Sequence, residues 1–190
     1  MIINRSILSD NAGNDIRASK VTAMDNKIGF CGFSAKYVHS GSELYVLNNK
    51  KHKISSGEYV VGNKNTEATI LIDSPVPVKG ICIDISEEKI NEIIDFSFSE
   101  SESFKRFIFE EEWAANRYHA SNTNLGHALN QIAHRFEQAG SADIHSEIFY
   151  SIAECIVKDQ KIVYSQFQSL KAVKEETNKR LFNFVYDAKN

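Results

Sequence analysis

Short β-favouring runs separated by turn residues characterise the chain from about residue 27 to residue 85, and apolar residues recur with a helical period thereafter. Residues 30–62 contain short runs rich in Val, Ile, Tyr and Phe, which are separated by Ser-Gly and Asn-Asn pairs. Runs of this kind, bounded by turn residues, are typical of an antiparallel meander. Residues 79–85 alternate isoleucines with small or polar residues, and this pattern predicts a half-buried strand that closes the β region.

Two segments beside the meander have a less regular pattern. Residues 1–26 are mostly polar, and we expect them to lie as an arm over the sheet, in which Ile2-Ile3 and Ile7-Leu8 pair as a short strand. Both prolines of the chain lie in residues 73–77. Because proline cannot donate a hydrogen bond to a neighbouring strand, these residues are expected to form a loop between two strands.

The pattern becomes helical at Ser86. This serine is a typical helix N-cap, and acidic residues follow it in the first turn. Residues 122–138 carry apolar side chains at steps of four, three and four, and residues 143–167 carry a second, longer apolar stripe. The Ala-Gly-Ser sequence between these two segments predicts a helical hairpin whose two helices pack antiparallel.

The second stripe, in residues 143–167, is wider than one helix partner can cover. The part of the stripe that this partner leaves uncovered must meet either the sheet or a second chain, because an exposed apolar patch of that size is uncommon on a monomer. The sequence leaves both possibilities open. We expect a homodimer whose contacts are made by Ile144, Ile148, Ile152 and Ile156.

The composition indicates a folded protein of the cytoplasm. Hydrophobic residues make up 42% of the 190 residues, which is enough for a packed core. No apolar run approaches the roughly 20 residues of a membrane-spanning helix, and the N-terminal segment lacks the apolar stretch of a signal peptide. The three cysteines are widely spaced, so neither a disulfide nor a zinc motif is predicted.

The net charge of −3 is unevenly distributed along the chain. Residues 86–157 hold 13 acidic and 5 basic residues, whereas residues 158–190 hold 4 acidic and 7 basic residues. The acidic segment would repel a phosphate backbone, and non-specific DNA binding needs a concentrated basic surface. This chain by itself is therefore not expected to bind DNA.

Residues 32–50 resemble the first sequence motif of the cupin family, which contains a glycine, two histidines, a glutamate and a second glycine. Gly32, His39 and Glu43 match this motif, whereas Tyr37 stands at the first histidine position. In the second motif, Ala68 replaces the histidine. The resemblance implies an α+β protein whose N-terminal part is a cupin-like barrel, a double-stranded β-helix. Two of the four usual metal ligands are missing. Because first-row metals need at least three protein ligands, we predict no bound metal and no other cofactor.

The cupin resemblance also implies which side chains face the barrel lumen, provided that the turn at residues 40–42 preserves the strand phase. An eight-stranded barrel is just wide enough either to hold a ligand or to be filled by its own side chains. The residues predicted to bind a ligand in the lumen are Tyr37, His39, Glu43, Tyr45 and Tyr59. The residues of opposite parity, Val38, Leu44 and Val46, are expected on the outer face.

The end of the chain resembles the first helix of the helix-turn-helix domain in AraC-type transcription regulators. Those helices often contain a threonine, an Arg-Leu pair and an Ala-Lys pair. Here Thr177, Arg180-Leu181 and Ala188-Lys189 stand at matching places. The order of the parts agrees as well, since AraC-type regulators place a sensing and dimerisation domain before the DNA-binding domain.

This resemblance implies three parts. Residues 1–85 are the cupin-like ligand-sensing barrel, residues 86–168 are the helical dimerisation region, and residues 169–190 are a linker with the first helix of a truncated helix-turn-helix domain. The implied protein is the sensing portion of a regulator without catalytic residues. It binds an unknown small-molecule effector, forms a homodimer and reaches DNA only through the missing C-terminal domain.

Two other functions stay open. A small cupin-type enzyme, either an isomerase or an oxygenase, would need a set of catalytic side chains in the lumen, where we expect only His39 and Glu43. A ligand-free dimerisation module would need only the helices. The six histidines show no metal-ligand spacing, and His127 and His134, which are seven residues apart, are expected on a solvated helix face.

Overall fold

The computed structural model of the chain describes residues 2–47, 50–98, 102–110, 116–139 and 144–169, together with the single positions 177 and 181. These residues form eight β-strands and four α-helices, which agrees with the predicted α+β class. The strands are β1 (Ile2–Ser9), β2 (Asp15–Gly29), β3 (Phe33–Ser40), β4 (Ser42–Leu47), β5 (Lys50–Ser55), β6 (Glu58–Asn63), β7 (Glu67–Ile85) and β8 (Asn116–His119). The helices are α1 (Glu87–Ser97), α2 (Glu102–Phe109), α3 (Asn124–Ala139) and α4 (Ile148–Ser169).

All eight strands belong to one antiparallel sheet that is organised around β7. This strand has 19 residues and pairs with β2 along most of its length. On its other side, residues 68–71 pair with β4 and residues 79–85 pair with β3. The sheet therefore continues in two branches, one through β4 and β5 and the other through β3, β6 and β8. Side chains from both branches meet in one apolar cluster, so the sheet curls over itself.

The two prolines lie within β7 rather than between two strands. Pairing with β2 passes directly from Asp73 to Val78, so residues 74–77 interrupt the ladder. The interruption falls where β7 leaves its contact with β4 and reaches β3. The expected loop is thus an irregularity inside one long strand, because the missing N–H donors break the local pairing without ending the strand.

The N-terminal residues form two full strands, which corrects the expectation of an arm. β1 pairs with β2 in a hairpin, and β2 pairs in turn with β7. The turn is closed by Asp10, whose side chain accepts hydrogen bonds from the backbone N–H groups of Ala12 at 2.9 Å and Asn14 at 3.0 Å. The segment can be polar and still pair because most of β1 is exposed to solvent.

Each face of the sheet carries its own apolar cluster. The inner face is enclosed by the curled sheet, and its cluster contains Val21, Phe30, Val38, Tyr45, Leu47, Ile54, Val60, Ala68, Ile70, Ile72 and Val78. The outer face packs against the helices. Its cluster joins sheet residues such as Phe33 and Ile83 to Ile90 and Ile94 of α1, and to residues of α2, α3 and α4.

The last helix begins at Ile148, after residues 144–147, which were expected to belong to it. Apart from this later start, the helical half follows the predicted pattern with one exception. Ser86 caps α1 as expected, since its hydroxyl accepts a hydrogen bond from the Lys89 backbone N–H at 3.3 Å. α3 and α4 contact each other, and the connecting residues 140–143 lie outside the described part of the chain. The exception is β8, a four-residue strand that pairs with β6 and is too short to show a period. Among the described helices, none combines the length and the apolar character that a membrane crossing requires.

The isoleucines expected at a dimer interface lie instead in the core of a single chain. Ile152 and Ile156 are fully buried, Ile144 is 5% exposed, and all three belong to the outer cluster. Ile148 is partly buried against the same cluster. These isoleucines are thus covered by the sheet and helices of their own chain, which corrects the expectation that they meet a second chain. A homodimer formed through another surface stays a prediction.

Most of the residues that carry the helix-turn-helix resemblance lie outside the described residues. Thr177 and Leu181 are the exceptions, and both are helical and exposed. Arg180 and the pair at 188–189 are not described. The predicted part at 169–190 therefore stays an expectation from the sequence.

Candidate functional site in the sheet interior

β3 directs its even-numbered residues to the inner face of the sheet, whereas β4 directs its odd-numbered residues there. Val38 of β3 and Tyr45 of β4 both lie in the inner cluster, whereas Tyr37 belongs to the outer cluster. The two strands are joined at Gly41, whose φ of +92° lies in the left-handed region that favours glycine. The pairing of β3 with β7 also shifts just before this turn. The turn therefore does not preserve the strand phase, and the predicted lumen set is divided between the two faces.

One part of the inner face is polar. On β7, Cys82 and Asp84 alternate with isoleucines that face the helices, as the sequence pattern predicted. Arg17 of β2 and Lys36 of β3 both stand opposite Cys82 in the strand register. Directly paired residues of antiparallel strands project to the same face, so these side chains share the interior with Tyr45.

Glu43 and Tyr45 form a buried acid–phenol pair in this polar part. The Tyr45 hydroxyl donates a hydrogen bond to Glu43 Oε2 at 2.8 Å. Tyr45 is 1% exposed and Glu43 is 9% exposed. Burial raises the pKa of the Glu43 carboxyl, although the hydrogen bond from Tyr45 and the charge of Lys36 oppose the shift. Burial likewise raises the pKa of Tyr45 well above its usual range, so the phenol stays protonated as a donor.

A second polar group lies beside this pair. Arg17 forms ion pairs with Asp84 and with Asp15, the latter at 3.2 Å. Ser34 donates a hydrogen bond to the other oxygen of Asp84. The Arg17 and Asp84 side chains are only 29% and 13% exposed, so the interior holds a paired cation and anion at its edge. The Lys36 ammonium lies 5.9 Å from the centre of the Phe30 ring, a favourable cation–π distance.

These side chains surround a cavity of about 290 Å³. Its polar lining comes from Arg17, Lys36, Glu43, Tyr45 and Cys82, and its apolar lining from the inner cluster, including Val21, Ile70 and Ile72. Exposed residues of β1 complete the lining, so the cavity lies at the β1–β2 side of the sheet interior. A mostly apolar cavity with a few convergent polar groups, some with shifted pKa values, is typical of a small-molecule site.

The other three predicted ligand-binding residues, Tyr37, His39 and Tyr59, lie on the outer face. The Tyr37 hydroxyl donates to Asn130 Oδ1 of α3 at 2.9 Å, and the Tyr59 hydroxyl donates to Thr123 Oγ1 at 2.9 Å. The phenols thus bind the helix that crosses this face, which corrects their assignment to the lumen.

The lumen does not fit the metal centre that the cupin resemblance would imply. His39 is the histidine that matches the first motif, and it lies on the outer face, whereas Glu43 lies on the inner face. The two matching ligands are separated by the sheet and cannot bind one ion. Glu43 and Cys82 line the cavity together, but two side chains are fewer than a first-row metal needs.

The sequence contained a signal for part of the true inner face. The alternation in residues 79–85 places Cys82 and Asp84 opposite the isoleucines, and an acid on the buried side of a strand points to a partner cation. Arg17 was missed because the segment that holds it was expected to be an arm. Lys36 was missed because the parity of β3 was assigned from the cupin motif.

Comparisons with known proteins give only weak similarities. No family model and no curated protein matches the chain. Among solved structures, a cupin-2 domain containing protein from Shewanella frigidimarina is 17% identical, with 43% of this chain and 78% of that chain covered and a TM-score of 0.38. The cupin-2 domain of an XRE family transcriptional regulator from Enterobacter cloacae is 9% identical, with 43% and 93% covered and a TM-score of 0.39. A cupin 2 conserved barrel domain protein from Leptotrichia buccalis is 22% identical, with 44% and 39% covered and a TM-score of 0.37. Similarity at this level does not assign the chain to a family, so its function is argued from its own residues.

Proposed function

We propose that the inner cavity binds a small polar effector and that the chain is the effector-sensing portion of an AraC-type transcription regulator. The observation that supports this most is the buried Glu43–Tyr45 pair, which lines the inner cavity beside Lys36. Burying polar groups costs free energy unless they are hydrogen-bonded, and a sheet interior filled only for stability would use apolar side chains. The polar part of the interior is better explained by a ligand that bonds to it.

The lining suggests the chemical class of that effector. Lys36 supplies positive charge, Glu43 and Tyr45 supply polar groups that can form hydrogen bonds, and Ile70 with Ile72 supplies apolar contact. The volume of about 290 Å³ lies just below the usual range for ligand cavities, which begins at about 300 Å³, so the ligand must be small. These features favour a small hydroxylated molecule that carries a carboxylate.

The regulator assignment rests on the resemblance of the tail and on the order of the parts. In this proposal DNA contact belongs to a C-terminal helix-turn-helix domain. A homodimer would present two DNA-reading domains to two half-sites. The buried isoleucines Ile144, Ile152 and Ile156 are not part of its interface. Light scattering at protein concentrations on the order of tens of micromolar tests the dimer, and a monomer at those concentrations would contradict it.

A thermal-shift screen tests the effector site. We expect hydroxylated carboxylates of suitable size to raise the melting temperature of the wild-type chain, and we expect Lys36→Met and Tyr45→Phe to abolish that rise. Lys51→Met is the matched control, because Lys51 is exposed and does not line the cavity. A rise that persists in both cavity variants would place the ligand elsewhere. The absence of any rise across the panel would contradict the proposal.

A cupin-type isomerase is the second candidate, and the raised pKa of Glu43 favours it. A carboxyl whose pKa is shifted towards neutrality by burial can act as a general acid or base, with Tyr45 as a neighbouring donor. Incubating a ligand from the screen with catalytic amounts of the chain and following it by NMR separates the two functions. An unchanged ligand supports sensing, whereas turnover that is lost in Glu43→Gln supports an enzyme.

A further inference from the structure

We propose that His39, His134 and Glu137 form a binding site for a divalent first-row metal ion, zinc above all, between the outer face of the sheet and α3. The donor atoms of these three side chains all lie within 4.8 Å of one another. We refer to the three residues as the seam cluster. It lies on the opposite face of the sheet from the inner cavity, and none of its three side chains lines that cavity.

The seam cluster is assembled by two elements. His39 comes from the end of β3, next to Tyr37, which bonds to α3 through Asn130. His134 and Glu137 stand three residues apart on α3, and residues at this spacing share one helix face. The Tyr37–Asn130 bond therefore helps to hold the helix face that carries two of the donors over the strand that carries the third.

The present distances are close to those of a metal site. His39 Nε2 lies 3.1 Å from Glu137 Oε2, and the rings of His39 and His134 meet edge to face with centroids 5.1 Å apart. Donors bound to one tetrahedral zinc ion at bond lengths of about 2.0–2.1 Å are separated by roughly 3.3 Å. The first pair already has this separation. His134 and Glu137 are exposed, so their side chains can rotate to shorten the other distances between donor atoms.

The chemistry of the donors suits zinc. Two histidines and one glutamate form a ligand set of catalytic zinc centres, in which the fourth position is left to water or a ligand. His39 and Glu137 also line a cavity of about 390 Å³, together with apolar residues such as Phe136. This cavity gives the open coordination position room for a water or a small ligand.

Lys79 is the main competitor for the carboxylate. Its ammonium lies 2.7 Å from Glu137 Oε1. Lys79 contacts Oε1 whereas His39 contacts Oε2, so one oxygen stays available on the side of the histidines.

Titration of the full, tag-free chain with zinc chloride in a calorimeter tests the site. We expect one zinc ion per chain with a dissociation constant of about 10 µM or tighter. His134→Ala is the first variant, because this residue is exposed and its loss should leave the fold intact. It should weaken binding by at least about tenfold, the lower end of what the loss of even an outer-sphere partner costs. His39→Ala and Glu137→Gln should do the same.

His127→Ala is the matched control, since His127 is an exposed histidine on the same helix outside the cluster. It should bind zinc like the wild type. Cobalt substitution adds a structural measurement, because visible absorption of the bound ion reports nitrogen and oxygen coordination and should be lost in His134→Ala. Absence of zinc binding by the wild-type chain would overturn the proposal. Binding that is equal in His134→Ala and His127→Ala would overturn it as well.

Discussion

Removing the side chain of the buried Asp159 should destabilise the folded chain strongly. Asp159 lies on α4 and is 6% exposed. Its carboxylate accepts hydrogen bonds from the backbone N–H groups of Asn124 at 3.1 Å and Leu125 at 2.8 Å, and from the Asn124 side chain at 2.7 Å. α4 therefore supplies a negative charge at the start of α3, where it accepts hydrogen bonds from backbone N–H groups that have no partner within the helix.

The size of the effect follows from these contacts. A hydrogen bond to a charged group contributes about 1.5–3 kcal/mol, and losing a helix cap costs about 0.5–2 kcal/mol. The contributions are not additive, and Thr123 continues to cap α3 by accepting from the Gly126 N–H at 3.0 Å. We therefore expect Asp159→Ala to lower the free energy of unfolding by about 3 kcal/mol. For a chain of this length that corresponds to a loss of about 6–12 °C in melting temperature.

Urea unfolding followed by circular dichroism measures this loss. Glu154→Ala is the matched control, because Glu154 is on the same helix, is 53% exposed and pairs with Lys158 at i,i+4. Such a pair contributes about 0.3–0.5 kcal/mol, so the two variants should differ clearly. Asp159→Asn keeps the shape of the side chain and one acceptor oxygen, but its NH₂ group faces a backbone N–H donor. Its loss of unfolding free energy should therefore lie between those of Asp159→Ala and Glu154→Ala. A difference of less than about 1 kcal/mol between Asp159→Ala and Glu154→Ala would refute the reasoning.

Three further predictions concern other parts of the chain. Because burial raises the pKa of Glu43 above 4.5, the folded state favours its protonated form, so the free energy of unfolding should fall as the pH rises from about 4.5 through the folded-state pKa. Glu43→Gln should remove this dependence of the unfolding free energy on pH. If urea unfolding gives the wild type and Glu43→Gln the same pH dependence, the raised pKa of Glu43 is contradicted. Gly126→Ala would place a Cβ 2.3 Å from the Ala120 Cα, so we expect a loss of about 1–3 kcal/mol in the same assay, and wild-type stability would show that this contact can relax. Ile152→Glu should abolish cooperative unfolding, since Ile152 is fully buried, and a folded monomer with the wild-type circular dichroism spectrum would contradict its place in the core.

The sequence predicted most of the elements because their patterns are local. The alternation in residues 79–85 and the cap at Ser86 both depend on neighbouring residues, and both were confirmed. At the N-terminus only a short strand at Ile2-Ile3 and Ile7-Leu8 was predicted. The full extent of β1 was missed because this strand is mostly exposed and has no buried face to produce a pattern. β8 was missed because its partner, β6, is remote in sequence and its four residues carry no period.

The site was harder to predict than the fold, and one turn explains why. The lumen assignment of Tyr37 and His39 assumed that residues 40–42 preserve the alternation between strands. Gly41 reverses it, and a positive φ at a single glycine is not visible in a pattern of apolar and polar residues. Glu43 and Tyr45 were placed correctly because they belong to the same strand, where the period of two holds without interruption.

The alternation along β3 also explains how one strand contributes to two separate sites. Lys36 and Val38 face the interior, where Lys36 lines the cavity proposed to bind an effector, whereas Tyr37 and His39 face α3, where His39 belongs to the seam cluster. Neighbouring residues of a strand point to opposite faces, so no side chain of β3 can take part in both sites. Lys36→Met should therefore change effector binding without changing zinc binding. The backbone is shared, however, and the Tyr37–Asn130 hydrogen bond ties it to α3. A shift of β3 on effector binding would be transmitted to the helix that carries His134 and Glu137. Zinc affinity measured with and without the effector would then differ, and by linkage the effector affinity would change by the same factor.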